Sequence, residues 1–283
     1  MILKALKVLL IALIFLSSNA VHAQKYQNYI SEFLSTQWWL GFRIGTNLTQ
    51  VNPIDRFSGI SPINYNGSSL DKNYDSYNLA GITAGLDITF YHKGWSIGFQ
   101  PNFRRSRYSY QNALFWEGAN ENERFETDFR QEQKVDFFDI PLLIKYDLLK
   151  RGVRPFLSVG AYYSFITNAE KELSVKQRDF SSGIVQALDL ETVKLGVTDN
   201  FAGSNYGLIA GAGVSFDFWN IRTIIEANYR YGLQNITNEN RRFDESLLVS
   251  IGDLNDNIEL RSLNFSASFV FPLRFISKQF QAF

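Results

Sequence analysis

Leu208-Ile209-Ala210-Gly211-Ala212-Gly213-Val214-Ser215-Phe216-Asp217-Phe218 reads as the two faces of one strand. Leu208, Ala210, Ala212, Val214, Phe216 and Phe218 fall on one side; Ile209, Gly211, Gly213, Ser215 and Asp217 fall on the other. Period-two alternation marks a strand with one apolar face. A soluble sandwich strand alternates too, but its apolar face packs on a shared core. Here about eight such segments recur, with aromatic ends and no helical stretch between them. Behind an export signal, the pattern predicts an all-β, up-and-down antiparallel transmembrane β-barrel of about eight strands.

The export signal comes from Lys4 and Lys7, the apolar run Val8 to Leu16, and the small-x-small site Val21-His22-Ala23. Residues 1–23 therefore read as a secretory signal peptide, too short to span a membrane as a helix. Removing Lys4 and Lys7 from the 28 basic residues leaves 26 against 28 acidic ones. So even a charge balance gives no reason to expect a nucleic-acid partner. Cysteine is absent, which removes disulfides, thiolate metal sites and a lipoprotein anchor. Mean hydropathy of −0.15 suits a barrel, in which half of each strand faces lipid. The 16% aromatic content suits the girdles that line both lipid–water interfaces.

Seven more segments repeat the pattern. They begin near Trp38, Asn78, Trp95, Val135, Arg154, Ile221 and Leu263. Their connections run long, short, long, short, long, short, long, with Gln111–Gln133 and Asn168–Ser204 read as two of the long loops. That rhythm predicts long outer loops, short periplasmic turns and both termini in the periplasm of a Gram-negative cell. The barrel is expected over 37–272, with an N-terminal extension at 24–36 and a tail at 273–283. A hairpin hidden in Asn168–Ser204 would raise the count to ten strands. The inward phase carries Arg43, Asp87, Arg104, Asp139, Lys145, Asp217, Arg222, Glu226 and Arg230. An eight-stranded barrel is filled by its own side chains, so this set predicts a salt-bridged lumen, not an aqueous pore.

Three stretches carry a family resemblance: Ile140-Pro141-Leu142-Leu143-Ile144-Lys145-Tyr146, Arg154-Pro155-Phe156-Leu157-Ser158-Val159-Gly160, and Ile225 to Leu233. In this order they resemble the PorT-like outer-membrane β-barrel family of Bacteroidota, across roughly Leu40 to Phe271. The resemblance implies an eight-stranded barrel and, from the name-giving member, a place in type IX protein secretion. The long loops carry no part of the family pattern.

Few residues offer chemistry. After the signal peptide the chain has one histidine, His92, on the turn Tyr91-His92-Lys93-Gly94, away from the long loops. A hydroxyl–His or carboxylate–His pair of the kind outer-membrane enzymes place near the outer interface is therefore not expected. Asp139 and Glu226 both point inward, where ion pairing explains them more simply than acid–base catalysis. Asp253-Leu254-Asn255-Asp256-Asn257 opens like a calcium loop, yet Ile258 stands where the turn glycine belongs and Asn264 where the closing Glu belongs. It reads as a solvated loop, with no metal or other cofactor. Arg105 and Arg107, with Arg241 and Arg242, are candidates for contact with lipid A phosphates, against simple snorkelling at the rim. The expected function is a non-catalytic wall embedded in outer-membrane lipid that binds a protein partner of the envelope. A small pore and a lipid A-modifying enzyme are the alternatives.

Overall fold

The computed structural model describes residues 36–57, 72–118, 124–149, 152–180, 186–218, 221–244, 248–249 and 253–273. The signal peptide, nearly all of the 24–36 extension and nearly all of the tail lie outside the described residues. The strands are β1 (Gln37–Asp55), β2 (Asn73–Tyr74), β3 (Ala80–His92), β4 (Trp95–Phe99), β5 (Asn102–Glu117) and β6 (Arg124–Asp147). They continue with β7 (Val153–Asp179), β8 (Gln186–Asp189), β9 (Val193–Gly196), β10 (Ser204–Phe218), β11 (Ile221–Gly232) and β12 (Asn257–Pro272).

Eight staves form an antiparallel ring: β1, β3, β4 with β5, β6, β7, β10, β11 and β12. β12 closes onto β1 from Trp39↔Pro272 to Asp55↔Asn257, so the ring leaves no open edge. β4 and β5 are one stave interrupted at Gln100-Pro101, because Pro101 has no N–H for the ladder. The register runs through the gap unshifted, and the Pro101 carbonyl still accepts from the Leu86 amide at 2.9 Å. β2, β8 and β9 stand outside the ring, pairing with β5 and β7.

Burial is inverted relative to a soluble sheet. Leu208 is 53% exposed, while Ile209 beside it is 3% exposed. The apolar phase therefore faces outward, as lipid requires, and the polar phase faces the lumen. Aromatic residues mark the two limits of this band. Trp38 packs on Phe90 at 5.0 Å and Trp95 on Tyr146 at 4.6 Å at the short-turn end, and Tyr163 packs on Phe165 at 5.1 Å at the long-loop end. From Phe138 to Tyr146 the strand runs roughly 26 Å at 3.3 Å per residue, as long as a tilted crossing needs. Two glycines are needed where they stand. Gly94, at φ 98° after Lys93 at φ 50°, makes the tight turn between β3 and β4. A Cβ on the inward Gly211 would collide with the Asn228 side chain on β11.

Two expected loops are largely strand. β5 and β6 pair without a break up to Glu117↔Arg124, within the stretch read as the Gln111–Gln133 loop. β7 likewise continues to Asp179, and β8 and β9 return along it. These additions stack on the long-loop ends of the staves, so the ring stays at eight strands. Past Phe165, β7 alone extends roughly 46 Å at 3.3 Å per residue.

The filled lumen and its cap

The lumen is filled in layers. At the short-turn end Trp39, Tyr91, Phe156, Ile224 and Val270 form an aromatic and aliphatic floor. The Arg222 guanidinium lies 4.0 Å from the Trp39 ring centroid and 4.9 Å from that of Tyr91. Arg222 Nε donates to Asp217 at 2.8 Å, and Arg154 donates to the same carboxylate at 2.6 Å. Arg154 Nε also lies 3.7 Å from Asp147. Neither Arg154 nor Asp147 belongs to the set expected from sequence. The signal was present, since Arg154 shares its strand phase with Ser158 and Ser164.

The middle of the lumen holds the other expected charges. Lys145 pairs with Glu226 at 2.7 Å, and Ser158 donates to Glu226 at 3.1 Å. Asp139 accepts from Arg104 Nε and from Arg230 Nη1, each at 2.8 Å, and from Ser164 at 2.5 Å. Asp87 accepts from Gln100 at 2.8 Å and Thr89 at 2.6 Å. Arg43 donates to Gln100 and Ser266. Each carboxylate here is buried and each is answered by donors, the condition for keeping charge out of water. Asp139 and Glu226 thus sit in separate ion pairs, with no acid–base pairing between them.

The long-loop end is closed by an apolar core. Val51, Tyr108, Tyr110, Val135, Phe137, Ile236, Ile258 and Leu260 pack across the mouth. Above it lies a second buried charge cluster. Asp253 takes Lys171 at 3.0 Å, Lys72 at 3.5 Å and the Tyr110 hydroxyl at 3.0 Å. Asp256 takes Lys72 at 3.1 Å, the Tyr74 hydroxyl at 2.7 Å and the Phe57 amide at 2.8 Å. The expectation of a solvated loop here is overturned: Asp253 is 2% exposed and Asp256 3%. Lysine ammonium groups occupy the place a cation would take, and Asn255 also accepts from Lys171. Among the described residues no group of three or more His, Cys, Asp or Glu side chains gathers for a metal ion. Burial pushes the Asp253 carboxyl up, but Lys171 and Lys72 outweigh it and hold it below the usual carboxylate range. Burial also pulls the Lys171 ammonium below its ordinary value.

The candidate rim arginines each have a partner within the chain. Arg105 forms a two-pronged pair with Asp136 at 2.7 Å, and Arg107 pairs with Glu132 at 2.5 Å. Arg241 reaches Asp199 at 3.2 Å, and Arg242 donates to Asn257 at 2.5 Å while stacking on Phe57. Arg105 and Arg107 open a ladder of outward ion pairs that continues through Lys134 with Glu172 and Arg178 with Glu126. His92 lies at the short-turn end, with its Nδ1 2.7 Å from Thr36 Oγ1 in an exposed contact.

No curated relative matches the sequence. Neisserial surface protein A (NspA) is 12% identical, with a TM-score of 0.35 over 83% of this chain and 96% of that one. Ail, the attachment invasion locus protein of Yersinia pestis, is 13% identical, with a TM-score of 0.30 over 83% of this chain and 99% of that one. Residues 23–238, more than half of the 283, match the family described as outer membrane protein beta-barrel domain. The chain belongs to that outer-membrane β-barrel family.

Proposed function

We propose that the protein is a non-catalytic wall of the outer membrane that binds another protein as an accessory part of an envelope complex. The long-loop end faces outward in this reading, and both termini lie in the periplasm. The observation that carries it is the sheet β5–β6–β7 with β8 and β9, standing beyond a barrel whose lumen is sealed. Its returning edge is exposed and mixes Leu188, 54% exposed, and Leu190, 45% exposed, with the exposed Gln186, Asp189, Glu191 and Lys194. An exposed edge carrying apolar side chains on an inert scaffold is a surface for pairing with another chain. The PorT-like resemblance supports placing the complex in type IX secretion of Bacteroidota.

Purification from native membranes in mild detergent tests the reading. The protein is expected to emerge with a partner in fixed stoichiometry, and L188D with L190D is expected to lower that recovery at least fivefold while the barrel stays folded. Recovery as a lone monomer would overturn it. The pore alternative is tested separately in planar bilayers. Two apolar seals and a paired interior predict no discrete conductance steps; reproducible steps would establish the rival.

A further inference from the structure

Among the described residues the middle of the lumen does not balance its own charge. Arg43, Arg104, Lys145 and Arg230 lie there with Asp87, Asp139 and Glu226, leaving one positive charge in excess. The layer below, Arg154 and Arg222 with Asp147 and Asp217, is neutral. The cap above, Lys72 and Lys171 with Asp253 and Asp256, is neutral as well.

The excess is shared: Arg104 and Arg230 both pair with Asp139, and Arg43 reaches Asp87 only through Gln100. Among the described residues the Arg43 guanidinium hydrogen-bonds to the neutral oxygens of Gln100 and Ser266. Beside it is a cavity of about 20 Å³ that Arg43, Arg230, Asn102 and Asn264 help to line. Four buried nitrogens of these residues have no protein partner: Arg43 Nε, Arg230 Nε and Nη2, and Asn264 Nδ2. Buried donors are ordinarily satisfied, so four on residues that line one small space point to an acceptor within it. The oxygens of Asn264, Asn102 and Thr83 are also unpartnered, which a water molecule would answer. Water alone, however, leaves the excess charge buried, and an uncompensated buried charge is among the most costly features a fold can carry.

We infer that the barrel interior binds one small monovalent anion of the halide class between Arg43 and Arg230. The size excludes sulfate, phosphate and carboxylate metabolites, because the space holds about one water-sized particle. A monatomic anion takes several N–H donors at once and cancels the excess charge of this layer. The site is closed at both ends by the apolar layers, so the ion is held as a structural counter-ion.

Crystals grown in molar chloride, with data collected at a wavelength where chlorine scatters anomalously, give the direct test. A peak between the two guanidinium groups supports the site; a non-scattering water there overturns it. Heat stability in chloride against gluconate at equal ionic strength gives the second. A chloride concentration tenfold above the dissociation constant is expected to raise the unfolding midpoint by about 3 °C, saturably. Arg43→Gln removes the excess charge and is expected to abolish that chloride dependence. A variant that keeps the full dependence would overturn the site. Should Arg43→Gln fail to fold, the anomalous map of the unaltered protein still decides.

Discussion

Asp139→Asn is expected to destabilise the barrel by about 3–5 kcal/mol, the scale found when one partner of a buried ion pair is removed. On a semi-native gel the heat-resistant folded band should be lost or greatly reduced. Asp139 sits on β6 and is fully buried. It receives Arg104 from the neighbouring β5, Ser164 from β7 and Arg230 from β11, which is not a neighbour in the ring. One carboxylate thus braces the lumen across its width. An asparagine in its place fits the volume but supplies no charge, leaving two guanidinium groups buried together. Arg230 would then have no carboxylate partner, keeping its stack on the Tyr162 ring at 4.1 Å. A second substitution separates charge from shape. Arg230→Gln added to Asp139→Asn removes one of the stranded cations, and the double variant should recover part of the folded band. A single variant as stable as its parent would show that Asp139 does not organise the lumen.

The reach of sequence in this chain follows from what is local. Alternation is read residue by residue, so Leu208 outward and Asp217 inward are both visible without knowing any partner. The nine lumen charges share that property, because phase alone assigns them to the interior. Arg154 and Asp147 share it too; they escaped because they stand at strand ends beside a turn. The strand extensions at the long-loop end were hidden for a different reason. On β5 the outward phase changes from Phe103 to Arg105 and Arg107, while the inward phase changes from Arg104 to Tyr108 and Tyr110. On β6, Phe138 outward and Asp139 inward give way to Lys134 outward with Val135 and Phe137 inward. The polarity of the two faces inverts where the strand leaves the lipid band, so a search for apolar-out alternation stops there. Read as a continuing strand with reversed polarity, the same residues describe a sheet packed around an apolar cap. The cap itself has no local signature. Nothing near Asp253 in the chain announces Lys72 or Lys171, and the calcium-like spacing pointed to solvent. Its burial depends on contacts from β7 and from the segment after β1.

Asp253→Asn should open the cap while leaving the barrel closed. Limited proteolysis is the measurement: cleavage in the long loops should accelerate at least tenfold at neutral pH, with the heat-resistant barrel band retained. The carboxylate holds Lys171 at 3.0 Å and Lys72 at 3.5 Å, and both lysines are buried over the Tyr110 ring. Asp256 remains to hold Lys72, but Lys171 keeps only the neutral Asn255 oxygen. A lysine in that position must lose its proton or find water, and lifting of the 253–256 segment supplies the water. The loss is therefore local: the lumen pairs below Phe137 share no group with this cluster. Acid reproduces the effect. A carboxyl held lower in the folded state than in the unfolded one adds stability above its unfolded value, about pH 4, and loses it as pH falls through the lowered folded value. Loop protection in the unaltered protein should thus be flat through the neutral range and fall below about pH 4, and Asp253→Asn should blunt that acid step. Equal cleavage of variant and parent at neutral pH would mean that the apolar core of Tyr108, Val135, Phe137 and Ile258 closes the mouth by itself. The buried lysines would then be passengers of the cap, not its clasp.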